Sequence, residues 1–352
     1  GRSSVSPGLG FDGAVFTLDD GAQEWALAKA HVACADAQVH LVCSWLFRTH
    51  IAMEPMAVAM RRTMSTMHPV YKLLRPYLKY LTPASIENRK QLVEVSGILQ
   101  SVLAVNSQVD KLCKEEYKRW VIQETGLPFE LEARGFTGNE MLDEYPYRDD
   151  GKLIWQAMFD YVGAYLKLYY KEDYEVLEDA ELKAWWLEVT GQGFPGYNWG
   201  DLIELDDVPE LQFALTTIMW TCGPQSSALT RSMYDGYAFP PNRPVQLRGK
   251  PHRKGAIGLG SFTPFLQRMP DKGTSAVMAG WAKVMSESSG IGQPLLGPQK
   301  EEWVTDTSAV TKYREFQKAL EEAQRLIDLR NEHRSEPYPY MEPGKITCGV
   351  MS

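Results

Sequence analysis

The stretch Trp45-Leu-Phe-Arg-Thr-His50 decides how this chain is interpreted. It lies in a long run of helical periodicity, from Trp25 to His68, that contains few helix-breaking residues before Pro55. Two histidines five residues apart on a helix lie on neighbouring turns and can bind one metal ion. Here the first position is a tryptophan, whose indole N–H only donates hydrogen bonds and cannot ligate a divalent metal. The stretch therefore predicts a helix that keeps one candidate ligand, His50.

Further segments place this helix in a known family. They are Ala28-Lys29-Ala30, Glu54-Pro55, His68-Pro-Val-Tyr-Lys-Leu-Leu74, Leu153-Ile-Trp155, Leu168-Tyr-Tyr170, Ala184-Trp-Trp186 and, as the most specific, Tyr145-Pro-Tyr-Arg-Asp-Asp-Gly151. Together they resemble the lipoxygenase family over roughly the C-terminal half of its catalytic domain. The resemblance implies an all-α, mainly helical fold: a lipoxygenase-like catalytic-domain bundle that is truncated and lacks the family's N-terminal β-barrel.

The resemblance also identifies the positions at which the family binds iron. A second ligand helix of the family corresponds to residues 215–230, where the ligand positions fall on Ser226 and Thr230. The family's last ligand is a C-terminal carboxylate, and this sequence matches the family tail to Gly349-Val350 before it reads Met351-Ser352. Losing even an outer partner of a metal site costs about 10 to 100-fold in affinity. We therefore expect no metal and no other cofactor.

The family holds its acyl substrate in an apolar channel beside the iron. The resemblance implies that substrate-binding positions of this chain are Ile51, Ala84, Glu87, Asn88, Leu92, Val102, Leu103 and Met233. Most of these side chains are small or apolar and suit an elongated hydrophobic ligand. Glu87 stands where animal-type relatives often carry an arginine that pairs with a fatty-acid carboxylate, so we expect a neutral or basic substrate.

Three functions remain open at this point. The first is a metal-independent enzyme that folds a polyene-type substrate and guides cyclisation or isomerisation, possibly pericyclic, in specialised metabolism. Its catalytic residues would be His50, Trp45, Ser226 and Thr230, with Trp45 supplying a π-face and the others hydrogen bonds or proton transfer. The second is an inactive pseudoenzyme that binds a lipid-like ligand or a protein partner, with Trp45 filling the iron cavity and His50 donating to Ser226 or Thr230. The third is a residual dioxygenase with a rewired metal site.

Composition restricts the remaining possibilities. The formal net charge of −8 argues against nucleic acid as a partner, and no apolar run is long enough to predict a transmembrane segment. The five cysteines are scattered and odd in number, as expected of reduced thiols in a cytoplasmic protein. We expect one domain over residues 1–352 with an irregular leader over 1–20, and a homodimer that covers helices left without packing neighbours.

Overall fold

The computed structural model describes residues 4–5, 15–94, 96–138, 142–195, 205–249, 254–255, 263–287, 294–296 and 306–350. This part of the chain is mostly helical, so the all-α prediction is confirmed. Its α-helices are α1 Ala22–Gln38, α2 Glu54–Thr63, α3 Pro69–Leu78, α4 Leu81–Asn88, α5 Ile98–Val102, α6 Val109–Tyr117, α7 Ile122–Thr125, α8 Leu127–Ala133, α9 Pro146–Leu166, α10 Asp173–Glu178, α11 Ala180–Glu188, α12 Val208–Trp220, α13 Ser226–Arg231, α14 Met233–Tyr237, α15 Thr263–Arg268, α16 Lys272–Glu287 and α17 Thr307–His333.

Shorter elements of three other kinds connect these helices. The π-helical segments, in which hydrogen bonds run from residue i to i+5, are Val39–Ile51, Arg89–Val93, Val189–Gly193 and Thr221–Gln225. The 3₁₀ turns are Leu18–Asp20, Asn106–Gln108, Pro339–Met341 and Pro343–Lys345. Two short strands, β1 Ser4–Val5 and β2 Phe16–Thr17, pair antiparallel.

The chain divides into two compact units. The first unit comprises Gly1–Trp45, Asn88–Lys114 and Ser232–Glu287, and the second comprises Leu46–Glu87, Glu115–Arg231 and Ser288–Ser352. In the first unit α1 packs on β2 and on the Leu18–Asp20 turn, while α16 packs on α5 and α14. A single domain with an irregular leader stays a prediction for this chain.

In the second unit α9 is the central helix and packs against α8, α12 and α17. Tyr161 of α9 stacks on Phe316 of α17 with ring centroids 4.7 Å apart. The side chain of Gln212, on α12, donates to the backbone carbonyl oxygen of Phe159, on α9, at 2.8 Å. A Cβ at Gly163 would lie 2.5 Å from the Gln212 Nε2 atom, so a larger residue at this position would displace the Gln212 amide.

The amphipathic pattern of the last long helix predicts its buried face correctly. Apolar residues at a helical spacing predict a helix over 308–334 with one buried face, and α17 spans Thr307–His333. The predicted face is buried in the structure, and it comprises Tyr313, Phe316, Leu320, Ala323 and Ile327.

Two local expectations from the sequence were wrong. The periodic run over 22–67 predicts one helix kinked at Pro55, but the structure ends the π-helical segment at Ile51 and begins α2 at Glu54. Pro55 occupies the first turn of α2, where its missing N–H costs no helical hydrogen bond. The Asp149-Asp150 pair also predicts a cap for a helix that follows Gly151. The position was wrong, because α9 begins earlier, at Pro146, but Asp149 does cap this helix by accepting from the backbone N–H of Tyr145, at 3.1 Å.

The five cysteines, Cys34, Cys43, Cys113, Cys222 and Cys348, are all free thiols, and four of them are buried. Within the described ranges no helix is long and apolar enough to span a membrane.

Candidate functional site

Two of the four π-helical segments carry or adjoin the residues that the sequence marks as the former metal site. Val39–Ile51 contains Trp45 and His50, and Thr221–Gln225 leads directly into α13, which begins at Ser226. Pro224 lies inside the second of these segments and lacks the N–H that a helical hydrogen bond would use. π-Helical turns are rare and occur frequently at functional sites. Two of the π-helical segments in the described part of the chain therefore coincide with the segments that the sequence singles out.

His50 lies in the core of the second unit. Its side chain is fully buried, at 0% exposure, and its Nδ1 atom lies 2.9 Å from the Oγ1 of Thr49, which is equally buried. The neighbouring residues hold this part of the helix in place. The Arg48 guanidinium pairs with the Glu116 carboxylate at 2.6 Å, and Phe47 packs edge-on against Trp120. His50 is thus a fixed, desolvated imidazole.

Ser226 and Thr230 lie one helical turn apart on α13, and both are buried. The Thr230 hydroxyl donates to the backbone carbonyl oxygen of Ser226, at 2.7 Å. The Ser226 hydroxyl, 1% exposed, has no hydrogen-bond partner among the described residues. The interpretation in which His50 donates to Ser226 is therefore not realised in this structure.

Other buried hydroxyls lie on the same continuous helix. Thr217 and Thr221 each bury an Oγ1 atom that has no partner in the described part of the chain. A hydroxyl left unsatisfied in a protein interior costs about 1–3 kcal/mol. Together with the Ser226 hydroxyl, these two groups form a polar strip of three hydroxyls, at residues 217, 221 and 226 of this helix. This strip is suited to holding a polar atom of a ligand.

Trp45 lies in the first unit and is completely buried. Its ring packs edge-on against Trp281 of α16, with the centroids 5.7 Å apart. The indole therefore has a defined aromatic partner within its own unit. This packing fixes the orientation of the ring.

The structure buries most of the predicted substrate-binding residues. The buried ones are Ala84, Asn88, Leu92, Val102, Leu103 and Met233, whereas Ile51 is partly exposed. Glu87 is exposed to solvent. Because water screens an exposed carboxylate, its repulsion of a substrate carboxylate at close range would be about 1 kcal/mol, too weak to exclude acidic ligands. The shared lining role of these eight residues stays a prediction.

The side chains at the former ligand positions do not fit the iron of the family. Trp45 offers only a donor, Ser226 and Thr230 offer neutral hydroxyls, and the Thr230 hydroxyl is already engaged.

Among the described residues, one group of three potential ligands lies close together: Asp206, Asp207 and Glu210. Sixteen residues separate Glu210 from Ser226, which is about 24 Å along a helix. A rewired metal site at Ser226 therefore has no donor set in this part of the chain.

The C-terminal tail is buried from Ile346 to the last described residue, Val350. Ile346, Cys348 and Val350 are buried, and a Cβ at Gly223 would lie 3.4 Å from the Cys348 carbonyl oxygen. The tail thus passes directly beside the π-helical segment Thr221–Gln225. The prediction about the family's last ligand falls on Met351 and Ser352, which lie outside the described residues.

Two features of the structure were not predicted from the sequence. The first is a contact of His40: its Nδ1 atom is 2.5 Å from the Tyr237 hydroxyl oxygen, and both residues are buried. A cleft of about 580 Å³ lies beside α9 and α17, lined by Glu144, Asp149, Lys152, Leu153, Arg330, His333 and Arg334. Spacing alone gives no signal for either feature, because both depend on contacts between distant segments.

Comparison with known proteins gives consistent results. The lipoxygenase family model matches residues 14–338. The chain is 32% identical to lipoxygenase 6, chloroplastic, of Arabidopsis thaliana, covering 88% of this chain and 36% of the plant protein. It is 28% identical to an allene oxide synthase-lipoxygenase protein of Plexaura homomalla, covering 94% and 31%.

Solved structures agree with the sequence comparison. A LOX variant crystallised anaerobically with arachidonate matches with a TM-score of 0.91 and 27% identity, over 97% of this chain and 51% of that one. Coral 8R-lipoxygenase matches with a TM-score of 0.88 and 26% identity, over 97% and 51%. The chain spans about a third to a half of the length of these relatives.

Proposed function

The chain belongs to the lipoxygenase family, and on that premise we propose that it is a metal-independent member that binds an elongated, polyene-type substrate and guides its cyclisation or isomerisation in specialised metabolism. The observation that carries the proposal is the hydroxyl of Ser226. It stands at a position that the resemblance assigns to a metal ligand, is buried, and has no partner in the described part of the chain. A polar atom of a bound substrate would satisfy it.

The substrate class is supported by two lines of argument. A structural relative was crystallised with arachidonate, which is a flexible polyene. The positions that the resemblance assigns to the channel are mostly apolar and buried in this chain. A flexible chain held in such surroundings loses conformational freedom before it reacts, and this lowers the entropic part of the barrier. Cyclisation and isomerisation of a polyene gain most from this effect.

The residues at the former ligand positions supply the chemistry in this proposal. The Ser226 hydroxyl donates to a carbonyl or other polarised oxygen of the substrate, in a desolvated site where such a bond is strong. His50, oriented by Thr49, accepts or returns a proton. Trp45 presents its π-face to the developing positive charge. The Thr230 hydroxyl stabilises the helix instead, because it donates to the Ser226 carbonyl oxygen.

The second candidate is a pseudoenzyme that binds a lipid-like ligand or a partner without converting it. Its specific support is the edge-on contact between Trp45 and Trp281, because an indole committed to core packing has a sufficient role without catalysis. The two candidates differ in one measurable respect: the pseudoenzyme binds the polyene and returns it unchanged. The predicted cytoplasmic location and homodimer belong to both candidates.

The test uses a neutral polyene, the methyl ester of arachidonate, with chelator-treated protein under air. We expect an isomer of the substrate that has gained no oxygen, detected by liquid chromatography and mass spectrometry. Ser226→Ala should slow its formation by about tenfold, as expected for the loss of one hydrogen bond to the reacting group. Thr311→Ala, which removes an exposed hydroxyl on α17, is the matched control and should react as the parent does.

Two results would change the conclusion. A conjugated-diene hydroperoxide, above the level formed by heat-inactivated protein, would return the chain to the oxygenases. Saturable binding of the ester without any product would favour the pseudoenzyme.

A further inference from the structure

Arg231, the last residue of α13, is a partly exposed cation that buries one of its donor nitrogens. Its Nη1 atom is buried, and no hydrogen-bond partner for that atom exists among the described residues. Burial lowers the pKa of the guanidinium, while Glu342 and Tyr340 oppose the change. Arginine remains charged in proteins, so the buried donor belongs to a cation. A charged donor without an acceptor is unfavourable in a protein interior.

The nearest acidic side chain does not satisfy this donor. Glu342 acts on Arg231 through its charge, but no ion pair or hydrogen bond joins the two residues in the described structure. The Glu342 carboxylate is bound instead by Lys345, with Nζ 2.5 Å from Oε2. The turn that carries Tyr340, Pro339–Met341, packs against α13. The Nη1 atom of Arg231 is therefore left available to a ligand.

A second unsatisfied donor lies on the same side of the helix. Ser227, four residues before Arg231, is 1% exposed, and its hydroxyl has no partner within the described residues. Residues four apart on an α-helix lie one above the other, with Cβ atoms about 5–6 Å apart. The long arginine side chain can bring its Nη1 atom near the serine hydroxyl across this distance. Ser227 and Arg231 therefore occupy neighbouring positions on one face of α13, the first with a neutral donor and the second with a charged one.

We propose that Ser227 and Arg231 form a buried binding site for a small monocarboxylate. One carboxylate oxygen accepts from Arg231 Nη1 and the other from the Ser227 hydroxyl, so that both donors are satisfied by a single ion. One guanidinium matches one negative charge, and the neighbouring Glu342 carboxylate disfavours a dianion such as phosphate. The site goes beyond the proposed function and stands whether or not that function holds.

Thermal unfolding in sodium acetate and in sodium chloride at equal ionic strength tests the site. Acetate should raise the melting temperature of the full chain in a saturable manner, whereas chloride should not. Arg231→Met keeps much of the side-chain volume without the charge and should weaken acetate binding by about tenfold or more. Ser227→Ala should weaken it by about fivefold. Arg325→Met, at an exposed ion pair with Glu322, is the matched control and should bind acetate as the parent does.

Three results would overturn the proposal. They are an equal acetate response in Arg231→Met, an equal response of the parent to chloride, and tighter binding of inorganic phosphate than of acetate. If Arg231→Met does not give a cooperative transition, Ser227→Ala decides the question together with Arg231→Lys, which keeps the charge. Unchanged acetate binding in Ser227→Ala would then refute the shared site.

Discussion

His68 Nε2 lies 2.9 Å from Asp179 Oδ2, and each of these residues also caps a different helix. His68 Nδ1 accepts from the backbone N–H of Val70 at the start of α3, and Asp179 Oδ1 accepts from that of Leu182 at the start of α11. Because Nδ1 is the acceptor, Nε2 carries the proton that is donated to Asp179. One hydrogen bond thus links the N-termini of two helices that are 111 residues apart.

Because of Asp179, the free energy of unfolding should fall at low pH. Burial raises the pKa of this carboxyl, but hydrogen bonds from His68, Tyr170 and Leu182 outweigh that effect and lower it to about 2. A lowered pKa means that the stabilisation is present above the ordinary value near 3.8 and is lost as pH falls through about 2. Allowing for partial exposure, we expect a loss of about 1–2 kcal/mol in the free energy of unfolding between pH 4 and pH 2.

Urea unfolding of Asp179→Asn across this pH range measures the contribution. The amide can still cap α11, so the variant removes the charge and keeps the cap. It should be less stable than the parent at neutral pH, and the difference should shrink as pH falls below 4. The control is Asp110→Asn, at an exposed pair with Lys114. A difference independent of pH would show that the charge of Asp179 contributes nothing.

Asp150 should be the most damaging carboxylate to remove. It is 0% exposed and accepts from Arg330 Nη1 at 2.8 Å and from Arg334 Nη1 at 2.6 Å. Asp150→Asn leaves two guanidinium groups without their buried counter-charge, and we expect a loss of about 3–5 kcal/mol by denaturant unfolding. Glu322→Gln, at the exposed pair with Arg325, should cost less than about 1 kcal/mol. Equal effects of the two substitutions would refute the buried role of Asp150.

Substitution of His50 distinguishes a catalytic role of this residue from a structural one. If it transfers a proton, His50→Ala should lower turnover of the neutral polyene by about 10² to 10⁴-fold. If it is only a core residue, the substitution should instead cost about 1–3 kcal/mol of stability through the cavity left behind and the lost hydrogen bond to Thr49. Melting temperature and product formation are measured on the same sample. Unchanged conversion by a folded variant would remove His50 from the catalytic residues.

Metal content follows from the donor chemistry at the former ligand positions. Protein purified without chelator should contain far less than one iron or manganese per chain, measured by elemental analysis. EDTA should leave the melting temperature unchanged. Stoichiometric iron that survives desalting would contradict the assignment of Trp45, Ser226 and Thr230 as non-ligands.

The fold could be predicted because the informative segments are local in sequence. The amphipathic face of α17 and the aromatic residues that follow Gly151 lie within single helices, and their spacing carries the information. The π-helical segments were not predictable. Apolar periodicity over residues 22–67 cannot distinguish hydrogen bonds to i+4 from those to i+5, and tertiary packing decides between them.

The sequence predicts the residues of the candidate site, and their shared role stays a prediction. His50, Ser226 and Thr230 are all buried. Their partners could not be deduced, because Thr49 and the Ser226 carbonyl oxygen compete with any bond between the side chains. Arg231 gave no signal in the sequence, since an arginine at the end of a helix is ordinarily exposed.

The π-helical turn at Thr221–Gln225 also sets the tolerance of this helix to changes in length. Each π-type hydrogen bond encloses one residue more than an α-type bond, so deletion of a single residue here would allow α-helical bonding to resume. The residue removed would be the extra one of the π turn, so Ser226 and Thr230 would keep their orientation toward the core. In an uninterrupted α-helix, the same deletion would turn every following residue by about 100° about the axis. The π turn therefore makes this helix tolerant of losing one residue at a point where an ordinary helix is not.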